Sequence, residues 1–134
     1  MQSPIAALNA ALDRQVAIYR QADDAVGLIT CALIAHKVRA AHPDAVIVPL
    51  GVDDDHDTKP LYVTGEWIGS DNVVMPLDKD VEDYISAHVG DLDESNEVAW
   101  EPLCGWDEDT TALTLRLDDA LTAANHLLTI TRTA

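Results

Sequence analysis

The sequence predicts an α+β fold: a small, mostly antiparallel sheet of four to five strands, with two N-terminal helices packed on one face and two further helices. Three observations support this prediction. Apolar residues recur at helical spacing near the N-terminus, two β-rich runs flank turn residues at Gly69–Asn72, and apolar and polar residues alternate again near position 115. The length of 134 residues indicates a single domain over 1–134.

The first two elements are predicted to be separate helices. Ser3 followed by Pro4 is a favourable helix start, and apolar positions recur at helical spacing over 4–20. Asp23 and Asp24 are typical of a second helix N-terminus, because carboxylates stabilise the positive end of the helix dipole.

The second of these helices, over 25–41, is apolar nearly all round. A helix of this kind is buried on most of its sides. Two interpretations follow: the helix lies between the sheet and the first helix, or the apolar stretch 24–41 forms a homodimer interface.

The stretch 61–77 is predicted to be a β-hairpin, with Trp67 as its largest apolar anchor. Glu66 falls on the opposite face of the same strand, which we expect to be solvated. An apolar strand is predicted before the hairpin, over 45–52. Because Pro49 lacks an N–H group, it favours an edge position or a bulge for that strand.

The second half of the chain has a less uniform pattern. A third helix is predicted over about 78–89, a short strand over 97–103 and a loop over 104–109. In the segment 110–131, alternation over 112–117 predicts a strand followed by a helix, but a single long helix is the competing prediction.

Acidic residues dominate the charge of the chain. The 24 Asp and Glu residues against 8 Lys and Arg give a net charge of −16. Residues 1–43 carry a net +1, whereas residues 44–119 carry −18. Such a field attracts a basic protein partner and discourages direct binding to nucleic acid or to an anionic membrane.

The remaining sequence features favour a cytoplasmic, non-enzymatic protein without a cofactor. No positively charged start precedes an apolar run, and no run approaches the ~20 apolar residues that span a bilayer. Cys31 lies in an apolar helical run, and the acidic neighbours of Cys104 disfavour its thiolate. Neither a Gly-x-Ser-x-Gly elbow nor a glycine-rich phosphate loop is present.

Two acidic clusters provide the candidate partner-binding residues: Asp53, Asp54, Asp55, Asp57, Asp91, Asp93, Glu94 and Glu97. Asp53, Asp55 and Asp57 also have the alternating spacing with which a calcium loop presents carboxylates, so they are the candidate metal ligands. An EF-hand loop would need Gly at 58 and Glu at 64, where the chain has Thr58 and Thr64. A solvated loop between strands is the competing interpretation.

These observations favour a protein-interaction module that acts through its acidic central region. A narrower version is mimicry of DNA or inhibition of a DNA-binding protein. Because duplex DNA carries one charge per ~1.7 Å, eighteen charges correspond to about 30 Å of duplex. A globular protein of 134 residues is about 36 Å across, so it is long enough to match that stretch of duplex. The alternative is a small divalent-metal-dependent enzyme or metal-binding protein whose site is assembled from the acidic loops.

Three short motifs resemble parts of small acidic proteins found in actinobacteria and their phages. They are Tyr62–Gly65 (Tyr-Val-Thr-Gly), Pro76–Asp78 (Pro-Leu-Asp) at the start of an acidic helix, and Trp100–Cys104 (Trp-Glu-Pro-Leu-Cys). The resemblance covers roughly residues 33–118. It implies a bacterial cytoplasmic or mobile-element origin and brings no catalytic residue to this chain.

Overall fold

The computed structural model describes residues 3–53 and 60–133. Within them it contains four α-helices and a sheet of six β-strands. In chain order the elements are α1 (Pro4–Ala41), β1 (Ala45–Val52), β2 (Leu61–Val63), β3 (Glu66–Gly69), β4 (Val74–Pro76), α2 (Lys79–His88), α3 (Glu97–Trp100), β5 (Cys104–Asp107), β6 (Ala112–Arg116) and α4 (Leu117–Thr133). Two 3₁₀ turns, Val89–Asp91 and Glu101–Leu103, follow α2 and α3. The α+β class is confirmed, but the sheet has six strands where four to five were predicted.

The N-terminal segment forms one helix of 38 residues, so the prediction of two helices is wrong. Ser3 caps it as expected, because its Oγ accepts a hydrogen bond from the Ala6 N–H at 3.1 Å. The predicted second start at Asp23 and Asp24 lies inside the helix. Neither Pro nor Gly interrupts residues 21–24, so the backbone continues without a break.

The sheet is antiparallel throughout, with the strand order β4-β3-β1-β6-β5 and with β2 beside β1. Strand β1 is therefore central. Its long ladder with β6 joins the N-terminal half of the chain to the C-terminal half. Strands β2 and β3 pair with the same edge of β1, one after the other. Together they are one long strand that is interrupted at Thr64 and Gly65.

That interruption explains how a central strand accommodates Pro49. The residue pairs with Thr114 of β6 but lies between the β2 and β3 ladders on its other side. The Thr64 hydroxyl donates to the Pro49 carbonyl oxygen at 3.2 Å, which replaces a backbone bond of the ladder. Pro49 lies in a central strand, so the predicted edge position is wrong. The irregularity beside it lies in the facing segment between β2 and β3, because the β1–β6 register is continuous through Pro49.

The hairpin prediction over 61–77 is confirmed apart from this interruption. Strands β3 and β4 pair around the turn at 70–73, where Asn72 adopts a φ of 63° and Asp71 Oδ1 accepts from the Val73 N–H at 3.1 Å. Leu61, Val63 and Trp67 all pack against the core, because a two-residue interruption preserves the alternation of the strand.

Later elements divide between confirmed and corrected predictions. Helix α2 forms with Asp78 as its N-cap, and the segment 110–131 is a strand followed by a helix. The predicted strand over 97–103 is instead helical, since α3 and a 3₁₀ turn occupy it. The predicted loop over 104–109 begins with strand β5.

The helices cover one face of the sheet and leave the other without a helix, within the described residues. Val48, Leu50 and Leu115 are fully buried beneath α1 and α4. The opposite face carries Pro49, with Tyr62 half-exposed, and it holds a depression of about 400 Å³. None of the described helices combines the length and the apolar composition that crossing a bilayer requires.

We expect Gly65→Ala to destabilise the fold, because Gly65 adopts a φ of 83° at the strand interruption. An L-residue in that region costs about 1–2 kcal/mol. The matched control is Gly90→Ala, since a Cβ at Gly90 meets no atom within 4 Å and its φ is not in the left-handed region. Urea unfolding should show a loss of about 1–2 kcal/mol for the first variant and no loss for the second. Equal stabilities would contradict the assignment of strain to Gly65.

Candidate partner-binding cleft

A cleft of about 390 Å³ opens at the end of the sheet where Val52 of β1 pairs with Leu61 of β2. Its floor is apolar and its rim is acidic. The lining residues are Val52, Leu61, Leu92, Asp93, Glu94, Glu97, Trp100, Glu101, Trp106 and Leu113. The cleft thus combines four carboxylate side chains with two indole rings.

The structure brings most of the second predicted acidic cluster into this cleft. Asp93, Glu94 and Glu97 line it, and Glu101 joins them from the following 3₁₀ turn. Asp91 is exposed outside the lining, where its carbonyl oxygen accepts a hydrogen bond from Asn96 Nδ2 at 2.9 Å. Glu97 and Glu101 project from consecutive helical turns, so the i,i+4 spacing of a helix places both carboxylates on one side.

Of the first predicted cluster, Asp53 lies at the same end of the sheet. Val52 and Leu61 pair across β1 and β2, and both line the cleft. The Asp53 N–H donates to the Pro60 carbonyl oxygen at 2.9 Å, which extends this pairing by one residue on each side. The other members of this cluster, Asp54, Asp55 and Asp57, lie outside the described residues.

Asn96 holds the acidic segment against α1. Its side chain is almost fully buried, and its Oδ1 accepts from the Asp93 N–H at 3.1 Å and from Trp100 Nε1 at 2.8 Å. Its Nδ2 donates to the carbonyl oxygens of Asp91 and Asp23, at 2.9 and 3.3 Å. The amide therefore uses both donors and both acceptor positions, which is the full capacity of asparagine.

Gly27 on α1 makes this close approach possible. A Cβ at that position would lie 3.2 Å from both Asn96 Cγ and Trp100 Cδ1. Contacts this short force the neighbouring side chains to move. The absence of a side chain at Gly27 therefore lets Asn96 and Trp100 pack directly on the α1 backbone.

Sequence reasoning missed the aromatic part of the cleft. Trp100 is buried and Trp106 is 52% exposed, and both belong to segments whose secondary structure was predicted wrongly. The i,i+4 spacing of Asn96 and Trp100 is a helical signal, but four residues of helix are too short to give a periodic pattern.

The described residues offer little support for a metal centre. Within 3–53 and 60–133, no group of three or more His, Cys, Asp or Glu side chains is arranged to hold an ion. Asp53 is described, but its predicted co-ligands Asp55 and Asp57 are not. Glu66 is exposed on the helix-free face of the sheet, so it does not join the carboxylates of the cleft.

Both cysteines are free thiols that are held in the neutral form. Burial, with a smaller contribution from Cys104, raises the pKa of Cys31 to about 12. Burial also raises the pKa of Cys104 to about 12, against an opposing effect of Arg116 and with an added effect of Glu101. The disfavoured thiolate at Cys104 is confirmed, although burial rather than acidic neighbours is the main cause.

We expect both thiols to react slowly with a disulfide reagent in the folded protein. A rise in pKa from 9.0 to about 12 lowers the thiolate fraction at pH 8 about a thousandfold. The neutral thiols contribute stability that is present below pH 9 and is lost as the pH rises toward 12. Labelling rates at pH 8 with and without urea test this, and a Cys104 that reacts equally fast in both conditions would contradict it.

No family model, no curated protein and no solved structure matches this chain. The comparisons therefore add nothing to the resemblance described above, and they supply no functional residues. The chemistry of the cleft is therefore the basis for inferring function.

Proposed function

We propose that this protein is a non-enzymatic interaction module that binds a basic protein partner in the acidic cleft. The observation that carries the proposal is the convergence of Asp93, Glu94, Glu97 and Glu101 on the indole rings of Trp100 and Trp106. Carboxylates beside exposed aromatic surface suit a cationic group on an apolar stem. Lysine and arginine side chains have that form.

The two parts of the cleft serve different parts of such a side chain. The apolar floor, which includes Leu92 and Leu113, would cover a methylene stem and exclude water from it. The carboxylates would then face the cationic head. Trp106 is half-exposed, so its ring is available to a guanidinium group for a cation–π contact worth about 0.5–1 kcal/mol at such a site.

The charge of the whole chain supports the same proposal at longer range. Residues 44–119 carry a net charge of −18, and the cleft lies within this segment. A field of this sign accelerates the approach of a basic partner and repels nucleic acid. Inhibition of a DNA-binding protein, including DNA mimicry, is the narrower form of the proposal, in which the basic partner is a DNA-binding surface.

We expect a short arginine-rich peptide to bind the wild-type protein and to bind a Glu94→Lys/Glu101→Lys variant at least tenfold more weakly. Both residues line the cleft and are exposed, so the reversal replaces attraction with repulsion without burying a charge. Fluorescence anisotropy of the labelled peptide at about 0.15 M salt measures the affinities, because surface charges interact only over about 8 Å there.

The matched control is Glu108→Lys/Asp109→Lys, which changes the net charge equally in the exposed loop between β5 and β6. If the cleft is the site, the control should bind about as tightly as the wild type. Equal weakening in both double variants would mean that the peptide responds only to net charge, and the cleft would no longer be the proposed site.

A further inference from the structure

Helix α1 carries an apolar stripe that is exposed within the part of the chain that the structure describes. Seven large apolar side chains along it are between 43% and 72% exposed: Ile5, Leu8, Leu12, Tyr19, Val26, Ile29 and Leu33. Gln15 and Ala22 occupy two further positions of the same series. With them included, successive positions are alternately three and four residues apart. This is the heptad repeat of a coiled coil, and it continues for about four heptads.

The stripe lies on the side of α1 opposite to the core. The residues that α1 buries are Gly27, Thr30, Cys31, Ala32, Ile34, Ala35 and Val38. None of them belongs to the heptad series, and most lie across the helix from it at 100° per residue. The near-complete apolar character of 24–41 thus comes from two faces, of which the core uses only one.

The first half of α1 supports the same interpretation, because none of its described side chains is buried. Ile5, Leu8 and Leu12 are 61–72% exposed, and the buried residues of α1 begin only at Gly27. A helical arm without tertiary packing has little stability of its own in water. A partner helix with a matching repeat would supply the packing that this arm lacks.

We propose that this partner is α1 of a second copy, and that the two helices form an antiparallel coiled coil along residues 5–36. The charge distribution favours a second copy over a basic protein, because residues 1–43 carry only +1 while the rest of the chain is strongly acidic. Two copies can therefore approach through α1 without bringing like charges into contact. This proposal extends the homodimer expected at 24–41 and is independent of the acidic cleft.

In the antiparallel direction, the side chains that face each other across the two helices have complementary sizes. With Leu8 opposite the partner's Leu33, Leu12 faces the partner's Ile29 and Tyr19 faces the partner's Ala22. A large side chain meets a small one at the centre, as close packing requires. In a parallel pair, Tyr19 would face its own copy, and the adjacent Ala22 layer would leave a gap.

The antiparallel direction also separates the acidic domains, by which we mean residues 44–119 of each chain. Each domain packs on the second half of its own α1, because the buried residues of that helix lie between Gly27 and Val38. A parallel pair would place both domains side by side at the same end. An antiparallel pair places them at opposite ends of a helix pair that is about 45 Å long, which reduces their repulsion.

The first test is the mass of the full chain by sedimentation equilibrium, from about 1 to about 100 µM. The wild type should reach twice the 14.5 kDa of one chain, whereas Leu12→Glu should remain a monomer with the same core. The matched control is Ala17→Glu, an exposed α1 position outside the stripe that gains the same charge and should dimerise like the wild type. A monomeric wild type, or equal masses for the two variants, would overturn the proposal.

The second test determines the direction of the helices by disulfide trapping. A mixture of Leu8→Cys and Leu33→Cys chains should give a mixed covalent dimer, because a disulfide needs Cα atoms about 4.4–6.8 Å apart. Leu8→Cys alone should give none, since the two positions 8 would lie about 37 Å apart along the axis. A covalent dimer of Leu8→Cys alone would overturn the antiparallel direction. The native thiols interfere little, because Cys31 is fully buried and the pKa of Cys104 is raised.

Discussion

The four hydrogen bonds of Asn96 hold the acidic wall of the cleft against α1. The segment from Asp91 to Trp100 contains only the end of a 3₁₀ turn and the four residues of α3 as regular structure, yet it forms the acidic wall. It is attached to α1 through a buried amide that bonds to Asp23, Asp91, Asp93 and Trp100. Each group left unsatisfied by loss of that amide would cost about 1–3 kcal/mol. A single buried polar side chain thus positions the residues to which we assign binding.

Helix α1 connects the two surfaces that we propose to be functional, the acidic cleft and the apolar stripe. One face of its second half supports the sheet and the Asn96 segment, through residues such as Gly27 and Ile34. The opposite face carries the exposed stripe from Ile5 to Leu33. The two surfaces lie on different sides of one rigid element, so self-association would leave the cleft open to a partner.

Sequence patterns predicted the elements whose signals are local. The turn chemistry at Gly69–Asn72, the helical pattern over about 78–89 and the alternation over 112–117 each identified an element that the structure contains. The predictions failed for segments whose structure depends on tertiary contacts. Asp23 and Asp24 resemble a helix start in isolation, but an uninterrupted backbone continues through them. The cleft was predicted in part, because the Asp91–Glu97 cluster is visible in sequence, whereas the approach of Trp100 and Trp106 depends on the sheet register.

Amide hydrogen exchange of an Asn96→Ala variant tests whether this side chain holds the acidic wall in place. The Asp93 N–H donates to Asn96 Oδ1, so its exchange should accelerate at least tenfold, together with that of its neighbours in 91–97. Amides of β1 and β6 should keep most of their protection, because their ladder does not involve Asn96. Exchange in 91–97 that matches the wild type would contradict the claim that this amide holds the acidic wall in place.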